Sequence, residues 1–339
     1  MAQATERAEL LTTWRALTGK DTRTGWRTIS IVRGPAFEVL AGRRFPNNEE
    51  AVLVGFKEIR SPPIEELPNG RGFGVIPAEP DDRFPHFVWI ALYRQPAGSL
   101  ELFSTIAEDI VSTLIRYGSS SPDTLFKIFL ARIKAWQDFM LRGHPEILSV
   151  EAEVGLFGEL SLLGKLLEIG VSADFATSAW KGPLDGLQDF SFGTGAIEVK
   201  TSLSIAGFTA KINCLNQLDT SSIYPLFLCA IKLCTSIDGL TLSDLVARTR
   251  SMIKDNEVAI ANFDLLLIHA GYVEKNSACY TRRFAQRELR LFEVADSFPR
   301  LTGRNVPRGI VTARYEIDLD TISSAPIDLK TALLQLGVF

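Results

Sequence analysis

The chain has 339 residues, 46% of them hydrophobic and 22% charged; this excludes disorder as the main state and predicts two or three domains at about 150 residues each. A formal net charge of −4 excludes a molecule that is basic over its whole surface, as a general nucleic-acid glove would be. No stretch reaches ~20 consecutive apolar residues, and the best candidates, Tyr224 to Leu233 and Ala259 to Ala270, carry Lys232, Asp264 and His269, so no membrane span is expected.

Met1 to Lys20 holds charges throughout and lacks the apolar stretch of a signal peptide, so a cytoplasmic protein is expected. Within it Thr5 to Leu17 has helical spacing, with Thr5 as an N-cap. Strands are predicted at Thr28 to Val32, Phe37 to Leu40, Ala51 to Phe56, Phe73 to Ile76 and Phe87 to Tyr93. Turn signals such as Pro62-Pro63 and Asn69-Gly70 separate them. Trp89 and Tyr93 could stack on bases, but their alternation with Val88 and Ala91 fits packing in a sheet equally well. Helices follow at Leu100 to Tyr117 and Asp123 to Leu141, and residues 1–145 read as an N-terminal accessory domain of sheet and helix.

The break at Arg142-Gly143-His144-Pro145 opens a second segment, with His144 in a loop. Ile147 to Ile169 is strongly helical. The period then changes to two: Asp189-Phe190-Ser191-Phe192, a Gly193-Thr194-Gly195 turn, and Ala196 to Lys200 describe a hairpin. A third strand at Phe208 to Ile212 and an apolar one at Pro225 to Leu233 complete a core over residues 146–236. The remainder, 237–339, reads as helices at Leu242 to Lys254 and Glu257 to Ala270, with Gly271 as C-cap. Strands then follow at Cys279 to Phe284, Arg287 to Val294 and Ile310 to Leu319.

Cys214, Cys229, Cys234 and Cys279 form no CxxC pair, so reduced and mostly buried thiols are expected. His86, His144 and His269 are the only histidines, which argues against zinc hydrolases and His-based nucleases. A Ser-His-Asp hydrolase has no GxSxG elbow to stand on. His269, on an apolar helix, reads as a core or helix-end residue.

The hairpin carries the chemistry. Glu198 and Lys200 are two apart on a strand, so both leave one face, ~6.5 to 7 Å apart. Asp189 lies across the turn, where cross-strand neighbours approach within ~4.5 to 5.5 Å. Gly158-Glu159, on the preceding helix, can add a third carboxylate. Clustered carboxylates repel unless a cation neutralises them, and Mg²⁺ (or Mn²⁺) takes one or two carboxylates plus water and phosphate oxygens. A lysine beside that ion suits phosphodiester hydrolysis. Asp328-Leu329-Lys330 has the same tripeptide form but follows a helix start, where Asp328 favours the helix dipole instead.

With Asp189, Glu198-Val199-Lys200 and Gly158-Glu159 in place, the chain resembles the PD-(D/E)XK nuclease superfamily, of restriction-endonuclease-like fold. It is similar in particular to a prokaryotic family carrying that motif. Trp180-Lys181-Gly182-Pro183, Asn216-Gln217-Leu218-Asp219, Gly271-Tyr272 and Phe298-Pro299-Arg300-Leu301-Thr302 extend the likeness over roughly residues 25–320. Gln188 stands where the motif's name has proline, and Asp185 competes with Asp189, which is preferred because a strand follows it directly.

The resemblance implies an α/β (α+β) protein: a restriction-endonuclease-like mixed-sheet core flanked by the N-terminal β-rich and helical domain and a C-terminal helix-plus-strand region. It implies Asp189, Glu198 and Glu159 as metal ligands, Lys200 as the catalytic lysine and Gln217 as a residue orienting the backbone or a neighbouring group. The activity implied is a Mg²⁺-dependent DNA endonuclease of a prokaryotic restriction or antiviral defence system, acting on double-stranded DNA beside ATPase or helicase partners. Duplex cutting, which uses two active sites, suggests a homodimer. Between Gly271 and Tyr315 nine basic residues face four acids, and Arg282, Arg283, Arg287 and Arg290 are the candidate phosphate contacts. The alternative is a DNA-binding or assembly subunit that keeps the nuclease fold without cutting.

Overall fold

The computed structural model describes residues 2–20, 22, 24–60, 63–70, 72–80, 86–143 and 147–339; the loop expected at His144 lies outside them. The chain forms two compact units, Met1–His144 and Pro145–Phe339.

In the first unit, α1 (Ala2–Ala16) leads into β1 (Gly25–Arg33), β2 (Phe37–Phe45), β3 (Glu49–Lys57), β4 (Phe73–Ala78) and β5 (Phe87–Arg94). The helix begins before Thr5, which is therefore not its cap. The strands pair antiparallel in the order β1-β2-β3-β5-β4. Two helices follow, α2 (Leu100–Arg116) and α3 (Pro122–Arg142), capped by the Ser99 and Ser121 hydroxyls. They cover one sheet face: Phe56 of β3 meets Phe126 and Phe129 of α3 at ring separations of 5.3 and 5.4 Å.

Strand β2 runs past the predicted end at Leu40 because cross-strand charge pairs replace apolar alternation there. Arg43 and Glu50 are register partners and pair at 3.0 Å, and Arg44 reaches Glu49 at 3.6 Å. Trp89 is 4% exposed and lies against Phe87, so it packs the sheet rather than presenting a ring for stacking.

The second unit opens with α4 (Val150–Glu168), capped by Ser149, and α5 (Ala173–Ala179). Then come β6 (Phe190–Phe192), β7 (Gly195–Ser202), β8 (Thr209–Ile212) and β9 (Leu226–Leu240). The chain ends with α6 (Leu242–Met252), α7 (Glu257–His269), β10 (Phe284–Glu293), β11 (Tyr315–Asp318) and α8 (Leu329–Gln335). The main sheet is mixed, in the order β10-β9-β7-β6, with β7 and β9 parallel and the outer pairs antiparallel.

Alternation along β7 and β9 builds two cores. Ile197, Val199, Phe227, Cys229 and Ile231 join Leu160, Leu163 and Leu166 of α4 and Phe263 and Leu267 of α7. Ala196, Leu226, Leu228 and Ala230 join Phe208, Ala210 and Ile212 from the β8 region and Ile317 of β11. The sheet is thus covered by helices on one face and by the two-stranded β8–β11 sheet on the other.

Several sequence expectations are corrected. The strand expected at Phe208 to Ile212 forms, but pairs with β11 outside the main sheet. Residues 274–279 form a 3-10 helix, so no strand starts at Cys279; Tyr280 instead stacks on Tyr272 and accepts the Leu148 amide. The last strand is confined to Tyr315–Asp318. The boundary expected at 236 falls inside β9, and α6, α7 and β10 share the core of α4 and β7. Of the four thiols, none disulfide-bonded, Cys229 alone is buried and Cys279 is exposed. No helix among the described residues is long and apolar enough to cross a membrane.

Candidate active site

Strand parity places the first two groups. Ile197 and Val199 point into the helix-covered core, and Ala196 into the opposite one, so Glu198 and Lys200 leave on the side of Ala196. Their side chains are 2% and 14% exposed, and Lys200 Nζ lies 2.6 Å from Glu198 Oε1. Glu198 Oε2 is buried with no hydrogen-bond partner.

Asp189 directly precedes β6, whose Phe190 pairs with Ile197, so the hairpin brings it beside Glu198. Its Oδ2 accepts the Val199 amide at 2.7 Å. Glu159 arrives from α4, which approaches β7 closely because residue 158 is glycine: a Cβ there would collide with the Thr201 hydroxyl. Trp180 Nε1 donates to Glu159 Oε2 at 2.6 Å.

The turn after α5 ties the two acids together. The Lys181 and Gly182 amides donate to the Asp189 carbonyl at 2.7 and 3.0 Å. A Cβ on Gly182 would sit 2.5 Å from Glu159 Oε2 and 2.9 Å from Asp189 Oδ1, so both carboxylates crowd its bare Cα. Trp180 and Gly182 are site residues that reasoning from charge alone does not find; the Trp-Lys-Gly-Pro string is their only signal.

Burial dominates the electrostatics. Burial first and the Asp189 charge second lift Glu159 from 4.5 to about 8 against the Trp180 hydrogen bond. Burial and then Asp189 lift Glu198 to about 8 as well, against the pull of Lys200. Asp189 is raised by burial, opposed by Lys200 and the Val199 amide. Burial alone would lower Lys200, but Glu198, Asp189 and Glu159 together hold its proton and raise it.

All four groups line one pocket of about 510 Å³, which Gln217, Thr209, Lys211 and Asn213 also line. Gln217 is a turn brace: its Oε1 accepts the Asn213 amide at 2.8 Å and its carbonyl accepts Gln188 Nε2 at 3.4 Å. Asp185 does not line the pocket; it sits in a left-handed turn at φ 57°. Asp328 is the N-cap of α8, accepting the Thr331 amide at 3.0 Å.

Among the described residues, no group of three or more Asp, Glu, His or Cys side chains is arranged to hold a metal ion, so Asp189, Glu198 and Glu159 do not form the three-ligand set that the resemblance implied. The orphaned Glu198 oxygen and the neighbouring Asp189 fit instead a hard divalent cation that takes one or two protein carboxylates and completes its shell with water and substrate oxygens.

The four candidate arginines are not brought to this pocket. Arg282 grips Glu153, whose side chain is fully buried, through Nε and Nη2 at 2.7 Å each. Arg290 binds Glu288 and Asp320 at 2.6 and 2.7 Å. Arg283 donates to the Gly239 carbonyl at 2.9 Å and Arg287 to Cys234 Sγ at 2.9 Å.

A family model described as "Putative PD-(D/E)XK family member (DUF4420)" matches residues 10–320. No curated protein and no solved structure matches the chain.

Two predictions arise here. In chelator, the folded state binds a proton at Glu198 that the unfolded chain has released, between pH 4.5 and about 8. The contribution is therefore favourable below that window and fades as pH rises, so the melting temperature should fall from pH 5 towards 8 and Glu198→Gln should flatten the slope. Arg282→Ala leaves the Glu153 carboxylate buried without its cation and should cost about 3 kcal/mol in urea unfolding, a loss that a purely DNA-contacting arginine would not show.

Proposed function

The chain belongs to this PD-(D/E)XK family, a nuclease-like family, and from that membership and the pocket's geometry we propose that it is a metal-dependent deoxyribonuclease that hydrolyses phosphodiester bonds of double-stranded DNA. The observation that carries the reading is the convergence of Asp189, Glu198, Glu159 and Lys200 in one pocket, with a buried carboxylate oxygen that no protein group satisfies.

Asp189 and Glu198 would hold the cation, Mg²⁺ or Mn²⁺, with Glu159 as the accessory acid. Bound there, the cation supplies charge stabilisation at the phosphoryl group and lowers the pKa of water. The chain's own groups do the positioning. Glu198 fixes the Lys200 ammonium at 2.6 Å, leaving its remaining N–H groups to donate to a phosphate oxygen or to the attacking water. The Val199 amide fixes the Asp189 carboxylate, and the Trp180 indole fixes that of Glu159. Burial of the Glu198 and Lys200 side chains strengthens their interaction relative to bulk water. A place in antiviral defence, beside ATPase or helicase partners and as a homodimer, extends the reading further and rests on the family likeness alone.

The test is plasmid cleavage by the full chain with Mg²⁺ or Mn²⁺. Nicking or linearisation should vanish in chelator and fall at least 100-fold in Lys200→Ala. DNA binding with no cleavage under any metal would favour the non-cutting assembly subunit. Asp189→Asn keeps an acceptor for the Val199 amide while removing one of the repelling charges. In chelator it should melt no lower than the parent, and Mg²⁺, which should raise the parent's melting temperature, should leave it unmoved. An Asp189→Asn protein that fails to fold would mark that acid as structural.

A further inference from the structure

We infer that the outer face of β8 is the wall that holds the DNA backbone in this pocket, with Lys211 as its phosphate anchor and Thr209 and Asn213 as flanking donors. The inference rests on the nuclease reading and assigns residues that the PD-(D/E)XK motif does not contain.

Strand parity is again the starting point. Phe208, Ala210 and Ile212 are at most 1% exposed and pack into the core under the main sheet. Thr209, Lys211 and Asn213 alternate with them and therefore share the opposite face, and all three line the pocket that contains the acid cluster. A strand so divided, apolar on one side and built of three hydrogen-bond donors on the other, presents donors ~6.5 to 7 Å apart, a spacing comparable to that of successive phosphates along a nucleic-acid strand. Lysine, threonine and asparagine are also among the residue types that donate to phosphate oxygens.

Charge singles out Lys211. The pocket is lined by Glu151, Glu159, Asp189, Glu198 and Glu316 against two lysines. Lys200 is committed to Glu198. Lys211 is exposed and, among the described residues, forms no ion pair, even though its register partner across β8–β11 is Glu316. A polyanionic strand entering this acidic pocket therefore meets one uncommitted protein cation, and it stands on a wall fixed by the pairing of β8 with β11. The candidate arginines of β10 and its approach do not reach the pocket and offer no substitute.

The test measures anisotropy of a fluorescent duplex oligonucleotide with the full chain in Mg²⁺, in a Lys200→Ala background that prevents cutting. Adding Lys211→Ala should weaken binding roughly tenfold at low salt and reduce the slope of log K against log[salt] by about 0.9, the share of a single neutralised phosphate. Lys211→Arg should restore both, and Glu316→Gln should tighten binding. The melting temperature of each position-211 and position-316 variant should equal that of its Lys200→Ala background, since the Lys211 and Glu316 side chains are exposed. Binding whose strength and salt slope ignore position 211 overturns this inference alone. A chain that neither cuts plasmid nor binds the duplex overturns the nuclease reading, and this inference with it.

Discussion

Three carboxylates and one ammonium share one pocket, Glu198 buried and the other three half-buried, and the second unit is built around making that tolerable. Desolvation first and the charge of Asp189 second push Glu159 and Glu198 to about 8. Each acid of such a cluster needs a donor, because an unmatched buried charge costs several kcal/mol. The chain supplies an indole from Trp180, an amide from Val199 and the ammonium of Lys200. Glu198 Oε2 is left over, and it is the atom through which the site asks for something the polypeptide does not provide.

What positions these donors is mostly local. The hairpin is legible in the sequence because apolar residues at 190, 192, 197 and 199 alternate with polar ones, and parity alone then sends Glu198 and Lys200 to one side. Local pattern also disposes of Asp328: Ser323-Ser324-Ala325-Pro326 announces a helix, and the Asp328 carboxylate caps it. Leucine spacing locates α4, and with it Glu159.

Long-range features are the illegible ones. Whether β8 adds to the main sheet or pairs with β11, more than a hundred residues later, depends on a partner that no local pattern names. Strand β2 outruns its sequence pattern because Arg43 and Arg44 break the apolar alternation, and only Glu50 and Glu49 opposite them account for it. An arginine-rich segment suggests phosphate, yet Arg282 answers a buried glutamate 129 positions earlier. Gly182 gives no sign of its closeness to two carboxylates, since a missing side chain leaves no chemical signature.

The link between β6 and β7 is two residues, Gly193 and Thr194, with Phe192 and Gly195 already paired. Its shortness sets a phase. Sliding one arm by a single position would bring Asp189 level with Val199 rather than Glu198, turning an acid towards an aliphatic neighbour and splitting the charged group between opposite surfaces of the sheet. So short a link leaves the two arms a single way to meet, and the placement of the acids is settled where the chain reverses.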